Sequence, residues 1–318
     1  MLEKTKLEYI RLANTFIKRN LLNKNIQLTE KNIRQALIAV ATKHRPAYWR
    51  RLRCALVTQQ REAGFFKTAH KLRMIVNPVT NPDSQPELKA QKKQKQKRCK
   101  TVRKEEHFLL KSHLKAKKDH SLLAVIEIAR ILGCRPIEML SLQFREGNQV
   151  KITGAKKTEN GLRGLDRTIT LTAKQHEIVQ TAFLALHEQR SCLQIEKEVY
   201  IKRLQGRLAT VTKNLWPKRK HRITLYSYRH LMGSDLKASG MNRIEIAAIM
   251  GHQSVDSVDV YGNSKTSQRK PTITATAESI TEVRKTSLKT PLYQIKTKKQ
   301  SLKQRILTSI SHTTQARL

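Results

Sequence analysis

Apolar residues recur every three or four positions along most of this chain, and this spacing predicts helices. Such stripes run through residues 1–77 and resume at residue 105. Two short segments, residues 150–153 and 168–171, instead alternate and are rich in β-branched side chains, which predicts a β-hairpin. The expected fold class is therefore α+β, mainly α with a small β-sheet.

The stretch between the two helical patterns predicts a linker. It begins with Asn-Pro pairs, and residues 89–104 then carry nine Lys or Arg and no acidic residue. Such a run cannot bury a core and should be flexible, able to follow a phosphate backbone or to serve as a plain tether or localisation signal. The expected organisation is a helical domain over residues 1–77, a basic linker over 78–104, a second domain over 105–264 and a basic tail over 265–318.

The charge balance indicates what kind of partner the protein has. Lys and Arg number 64 against 24 acidic residues, a formal net charge of +40. An excess of this size points to a polyanion, most simply DNA or RNA, with a membrane surface as the other candidate. The most apolar run, residues 122–134, is interrupted by Glu127 and Arg130 and is too short to span a bilayer, so we expect no membrane partner.

Cysteine usage and the start of the chain bear on the compartment. The four cysteines are scattered and form no C-x-x-C pair, so we expect free thiols in a reducing cytoplasm. Residues 3–6 include three charged side chains where a cleavable signal would begin its apolar core. We therefore expect a cytoplasmic protein, associated with the nucleoid if its partner is DNA.

The segment from residue 224 to residue 261 carries the densest set of reactive groups. Arg229 opens an amphipathic helix, a second short helix is expected over residues 243–250, and His252 follows a glycine. Tyr261 comes nine positions after His252. An arginine, a histidine and a late tyrosine, each beside a helix boundary, suit phosphodiester chemistry because guanidinium forks match phosphate oxygens and a phenol can act as nucleophile.

This order resembles the carboxy-terminal boxes of the tyrosine recombinase (phage integrase) family, which read His-x-x-Arg-His, a Gly, Leu-Gly-His-x-Ser and then Tyr. The positions in register are Arg229, His230, Gly240, Met250, Gly251, His252, Ser254 and Tyr261. Upstream, the family's Gly-x-Arg-x-x-Glu-x-x-x-Leu box is matched by Gly133, Arg135, Glu138 and Leu142. One departure stands out: the first position of His-x-x-Arg is Tyr226. The resemblance covers roughly residues 30–264.

The resemblance implies roles for six residues. Arg135 and Arg229 would hold the scissile phosphate, and Tyr261 would attack it. A hairpin lysine would protonate the leaving oxygen; Lys157, followed by Thr, is the closest match, and Lys156 is the competitor. The other two roles are a hydrogen bond to the phosphate or proton transfer for His252, and a hydroxyl donor in place of the usual histidine for Tyr226.

As a whole, the resemblance implies an enzyme that integrates or excises a mobile element. Its helical first domain and integrase-like catalytic domain would clamp double-stranded DNA, and four copies would assemble on paired sites, with an accessory directionality factor as a further partner. No metal-ligand spacing is evident, so we expect no cofactor and no metal. A type IB topoisomerase-like relaxing enzyme and a non-catalytic DNA-binding protein with a decayed site remain the alternatives. The basic tail could dock on a neighbouring protomer or be disordered.

Overall fold

The computed structural model describes residues 1–94, 97–155 and 164–284. The chain divides into two compact units, Met1–Lys97 and Arg98–Leu318. The helices of the first unit are α1 (Glu3–Asn20), α2 (Glu30–Ala39), α3 (Pro46–Glu62), α4 (Phe66–Met74) and α5 (Pro86–Ala90). Those of the second are α6 (Lys104–Ala116), α7 (His120–Leu132), α8 (Ala173–Leu193), α9 (Lys197–Leu215), α10 (Leu225–Ala238), α11 (Arg243–Met250) and α12 (Ala277–Thr281).

The first unit is built from amphipathic helices around one apolar core. Pro46 starts α3, where a missing amide hydrogen costs nothing, and Thr29 caps α2 by accepting from a main-chain amide. The buried indole of Trp49 donates a hydrogen bond of 2.7 Å to the carbonyl of Leu37, which joins α3 to α2. Val79, from the predicted linker, also lies in this core.

The second unit is organised around α7. Nine of its 13 residues are buried, because α8, α9 and α10 pack around it. Val102, at the other end of the predicted linker, is buried in the core of this unit. Although α7 is strongly apolar, no helix in the described ranges is long and apolar enough to cross a membrane.

A small antiparallel sheet lies beside these helices. Its strands are β1 (Leu142–Arg145), β2 (Gln149–Ile152), β3 (Arg167–Thr170) and β4 (Thr274–Ala275), paired in the order β1-β2-β3-β4. The expected hairpin is confirmed, since β2 pairs with β3 and Val150 lies opposite Ile169. The α+β fold class is confirmed as well.

The chain after Tyr261 packs against the second unit. β4 pairs with β3, and Ile273 and Val283 are buried in the core. Ser279 of α12 donates to the carbonyl of Thr168 and accepts from its amide. Local periodicity in this Thr- and Ser-rich stretch did not predict the packing, because the contacts are few and widely spaced along the chain.

Candidate active site

Arg135, the first of the two arginines predicted to hold a phosphate, lies in the turn after α7. Gly133 ends α7 with φ of 56°, and a Cβ there would lie 2.5 Å from the Cβ of Met232, so the close approach of α7 to α10 requires glycine. Arg135 then precedes the 3₁₀ helix Pro136–Leu140. Its guanidinium donates to Glu138 at 2.6 Å and to the carbonyl of Gly251 at 3.3 Å.

Glu138 lies between two arginines. Its second carboxylate oxygen accepts from Arg167 at 2.9 Å, and both side chains are almost completely buried. Burial alone would raise the pKa of Glu138, but the charges of Arg167 and Arg135 outweigh it and lower that pKa to about 2. Arg167 also donates to the carbonyl of Ile249 at 2.7 Å. A single ionised carboxylate therefore joins the 3₁₀ helix, β3 and the end of α11.

Arg229 on α10 is completely buried. Its terminal nitrogens donate to the carbonyls of Gly133 at 3.0 Å and Met250 at 2.6 Å. Burial, followed by the nearby charges of Arg135 and Arg167, lowers the pKa of Arg229 to about 10, so it stays charged at neutral pH. Its Nε has no hydrogen-bond partner among the described residues.

His252 follows the glycine that ends α11. Its Nε2 lies 3.0 Å from Nη2 of Arg229, and because a guanidinium can only donate, Nε2 is the acceptor and Nδ1 carries the hydrogen. Burial and then the charge of Arg229 lower the pKa of His252 to about 2, which keeps the ring neutral. Within the described residues, the Nδ1–H group has no partner.

The ring of Tyr261 covers these groups. It lies 4.8 Å from the Cζ of Arg229 and 5.1 Å, centroid to centroid, from the ring of His252. The segment reaches this position because two glycines allow the main chain to touch α10. A Cβ on Gly262 would lie 2.2 Å from the amide nitrogen of Ser234, and one on Gly233 would lie 3.1 Å from the Cβ of Tyr261.

The sequence matches no protein-family model and no curated protein. Among solved structures, it is similar to the Tn1549 transposon integrase in complex with a circular intermediate DNA, at 15% identity, covering 82% of this chain and 90% of that one, with a TM-score of 0.51. A lambda integrase dimer bound to a COC′ core site matches at 15% identity, covering 82% of this chain and 72% of that one, with a TM-score of 0.50.

The chain has the tyrosine recombinase fold. At 15% identity this likeness concerns the fold alone.

Within this fold, four of the six predicted residues lie together: Arg135, Arg229, His252 and Tyr261. Tyr226 lies in the first turn of α10 with 37% of its surface exposed, and its hydroxyl makes no hydrogen bond within the described part of the chain. The two lysines proposed for the hairpin, Lys156 and Lys157, lie outside the described residues.

Two residues of the candidate site, Arg167 and His230, were given no role from the sequence. Arg167 opens β3, and the alternation of a strand puts it on the same face as buried Ile169, which is the signal that could have revealed it. His230 was matched as part of the Arg-His pair only, yet its ring lies 5.0 Å from that of Tyr261. No spacing rule predicts this second contact, because it depends on where the chain after His252 returns.

Proposed function

We propose that this protein is a tyrosine-type site-specific DNA recombinase. It cuts and rejoins DNA through a covalent 3′-phosphotyrosine intermediate on Tyr261 and so integrates or excises a mobile element. The observation that carries the proposal is a pair of buried N–H groups beside the Tyr261 ring, Nε of Arg229 and Nδ1 of His252, that have no partner among the described residues. Buried donors are normally satisfied, and a phosphate oxygen is an acceptor suited to both.

Phosphoryl transfer is catalysed mostly by positioning and by stabilisation of negative charge. Arg135 and Arg229 supply fixed positive charge, and Glu138 orients the first of them through its 2.6 Å ion pair. Attack forms a bond from the Tyr261 oxygen to phosphorus and breaks the bond to the 5′ oxygen. That oxygen takes a proton from the hairpin lysine, Lys157 or Lys156. Because the phosphodiester energy is kept, a second 5′ hydroxyl reverses the step without ATP.

Contact with a phosphate requires a movement of Tyr261. Arg229 has no exposed surface, and the Tyr261 ring lies 4.8 Å from its guanidinium carbon. The ring must therefore leave this position before the phosphate enters and return toward it as the nucleophile. Tyr226, at the exposed start of α10, would donate a hydrogen bond to the bound phosphate.

The net charge of +40 supports duplex DNA as the partner. In this proposal the helical first unit, the basic residues 78–104 and the second unit each contact the phosphate backbone, and four copies assemble on paired sites. The Tn1549 transposon integrase structure of this fold is a complex with a circular intermediate DNA, and the lambda integrase dimer is bound to a core site. A directionality factor would bias integration against excision.

The test is the formation of a covalent adduct. The purified protein is incubated with DNA carrying the junction sequences that flank its own gene, and the products are separated on a denaturing gel. We expect an adduct and a recombinant product from the wild type and neither from Tyr261→Phe, which removes only the nucleophilic oxygen. Tyr48→Phe, at an exposed position of the first unit, is the matched control and should behave as the wild type.

Each result selects one function. An adduct with relaxation of supercoiled DNA but no recombinant product would identify a topoisomerase-like enzyme. DNA binding without any adduct would identify a non-catalytic DNA-binding protein. An adduct that persists in Tyr261→Phe would move the nucleophile to another residue.

A further inference from the structure

The nucleophile position has a second imidazole beside it. The ring of His230 lies 5.0 Å from the ring of Tyr261, centroid to centroid, with an angle of 37° between the planes. The ring of His252 lies at nearly the same distance, 5.1 Å. His230 is four residues after Tyr226 on α10, so the two side chains lie on the same helix face, one turn apart.

His252 is poorly suited to accept the tyrosine proton. Its Nε2 already accepts from the guanidinium of Arg229, and its Nδ1 carries the hydrogen of the neutral ring. Burial and the charge of Arg229 lower the pKa of His252 to about 2, so taking up a proton there is strongly disfavoured. His252 is therefore a hydrogen-bond donor in this site.

Tyr226 is equally unsuited to be a base. A neutral phenol is a weak proton acceptor. A phenol has to lose its proton to act as a nucleophile, so a nearby group has to take the proton of Tyr261. An imidazole is a common proton acceptor in catalysis, and the ring of His230 lies beside that of Tyr261.

The main chain holds Tyr261 against the helix turn that carries His230. A Cβ on Gly262 would lie 2.8 Å from the carbonyl oxygen of His230, a contact that only glycine permits. The Ser234 hydroxyl donates to that carbonyl at 3.1 Å and accepts from the amide of Asn263 at 3.0 Å. The proximity of the two rings is thus built into the backbone on both sides.

We infer that His230 is the proton acceptor for Tyr261 and replaces the histidine absent at position 226. The inference rests on the proposed recombinase function. As the Tyr261 oxygen bonds to phosphorus, its proton passes to a ring nitrogen of His230 and the bond to the 5′ oxygen breaks. In the rejoining step His230 returns that proton to the Tyr261 oxygen as it leaves phosphorus. No further reactant is needed.

The experiment is single-turnover cleavage of a nicked suicide substrate carrying the junction site. General base catalysis contributes about 10²- to 10⁴-fold, so His230→Gln should slow adduct formation by at least about a hundredfold without weakening DNA binding. Moving the imidazole one turn back, with Tyr226→His in the His230→Gln background, should recover at least about tenfold of the lost rate. His120→Gln, at an exposed position of the same unit, is the matched control and should cleave at the wild-type rate.

The outcomes separate this inference from the proposed function. If the wild type forms an adduct and His230→Gln forms it equally fast, His230 takes no proton and the inference fails while the recombinase stands. If His230→Gln binds DNA but is inactive and Tyr226→His restores nothing, His230 only positions Tyr261, and the inference also fails. A wild type that forms no adduct overturns both.

Discussion

The two sides of the candidate site are built in different ways. On the arginine side, formed by Arg135, Glu138, Arg167 and Arg229, charged groups bond to one another and to main-chain carbonyls at 2.6 to 3.3 Å. Each of these hydrogen bonds involves an ionised donor, and most are buried, so displacing one leaves an unpaired charge. The arginine side is consequently held in one arrangement.

The tyrosine side, formed by His230 and Tyr261, is held by a ring contact and by close main-chain packing. Among the described residues no hydrogen bond reaches the hydroxyl of Tyr226 or of Tyr261. A ring contact of this kind is worth about 0.5–1.5 kcal/mol, less than a buried ion pair costs to break. In the proposed reaction, this difference would let Tyr261 move while Arg135 and Arg229 stay in place.

The largest expected effect comes from breaking the arginine side. Glu138→Gln keeps the shape but removes the charge between Arg135 and Arg167, and breaking a buried pair of this type costs about 3–5 kcal/mol. We expect the free energy of unfolding of the second unit to fall by about 3 kcal/mol. Urea unfolding followed through Trp216 in a Trp49→Phe background measures it, because the chain has two tryptophans.

A matched carboxylate lies two residues before Tyr261. Asp259 pairs with Arg243 at 2.9 Å, with both side chains more than half exposed, so Asp259→Asn should cost less than about 1 kcal/mol. Equal losses in the two variants would show that the arginine side is no more rigid than the surface, and the contrast between the two sides would be wrong.

On the tyrosine side, we expect substitution of Gly262 to have the largest effect. Its φ is 69° and a Cβ would lie 2.2 Å from main-chain nitrogen, so Gly262→Ala must displace Tyr261 from α10. Gly240 has a similar φ of 78°, but a Cβ added there would meet nothing within 4 Å, so Gly240→Ala carries the same backbone strain without the clash. Strain of this kind costs about 1–2 kcal/mol in both.

We expect adduct formation to fall at least about tenfold further in Gly262→Ala than in Gly240→Ala, since a displacement of about 1 Å can cost a hundredfold in rate. Single-turnover cleavage, normalised to bound DNA, gives the ratio. Equal rates would mean that the contact of Tyr261 with α10 does not determine its reactivity.

The sequence predicted the arginine side better than the tyrosine side. Hydrophobic periodicity located α11 at Arg243–Met250, and the family resemblance grouped Arg135, Arg229 and His252, which the fold brings together. Arg135 and His252 follow helix ends, whose positions local signals define, and Arg229 lies within α10. The ion pair of Arg167 with Glu138 and the contact of His230 with Tyr261 could not be located in this way, because they depend on strand pairing and on the path of the chain after residue 252.

The smallest expected effect is on the pH dependence of stability, and it comes from His252. The folded-state pKa of His252, about 2, lies far below the ordinary value of about 6.5, because the ring is buried against Arg229. As pH falls below about 6.5 the unfolded chain binds a proton that the folded chain does not, so stability decreases with acidity. The slope from this one group is about 1.4 kcal/mol per pH unit at most.

His107 acts in the same direction, since burial lowers its pKa to about 4, whereas the lowered pKa of Glu138 matters only below about pH 4.5. Unfolding of the second unit between pH 5 and 6 therefore reports the histidines. We expect His252→Gln to flatten this dependence by about 1 kcal/mol per pH unit. An unchanged slope would mean that His252 protonates within the folded protein. His252 would then be a proton acceptor itself, and the proposal that His230 on the tyrosine side takes the proton would lose its main contrast.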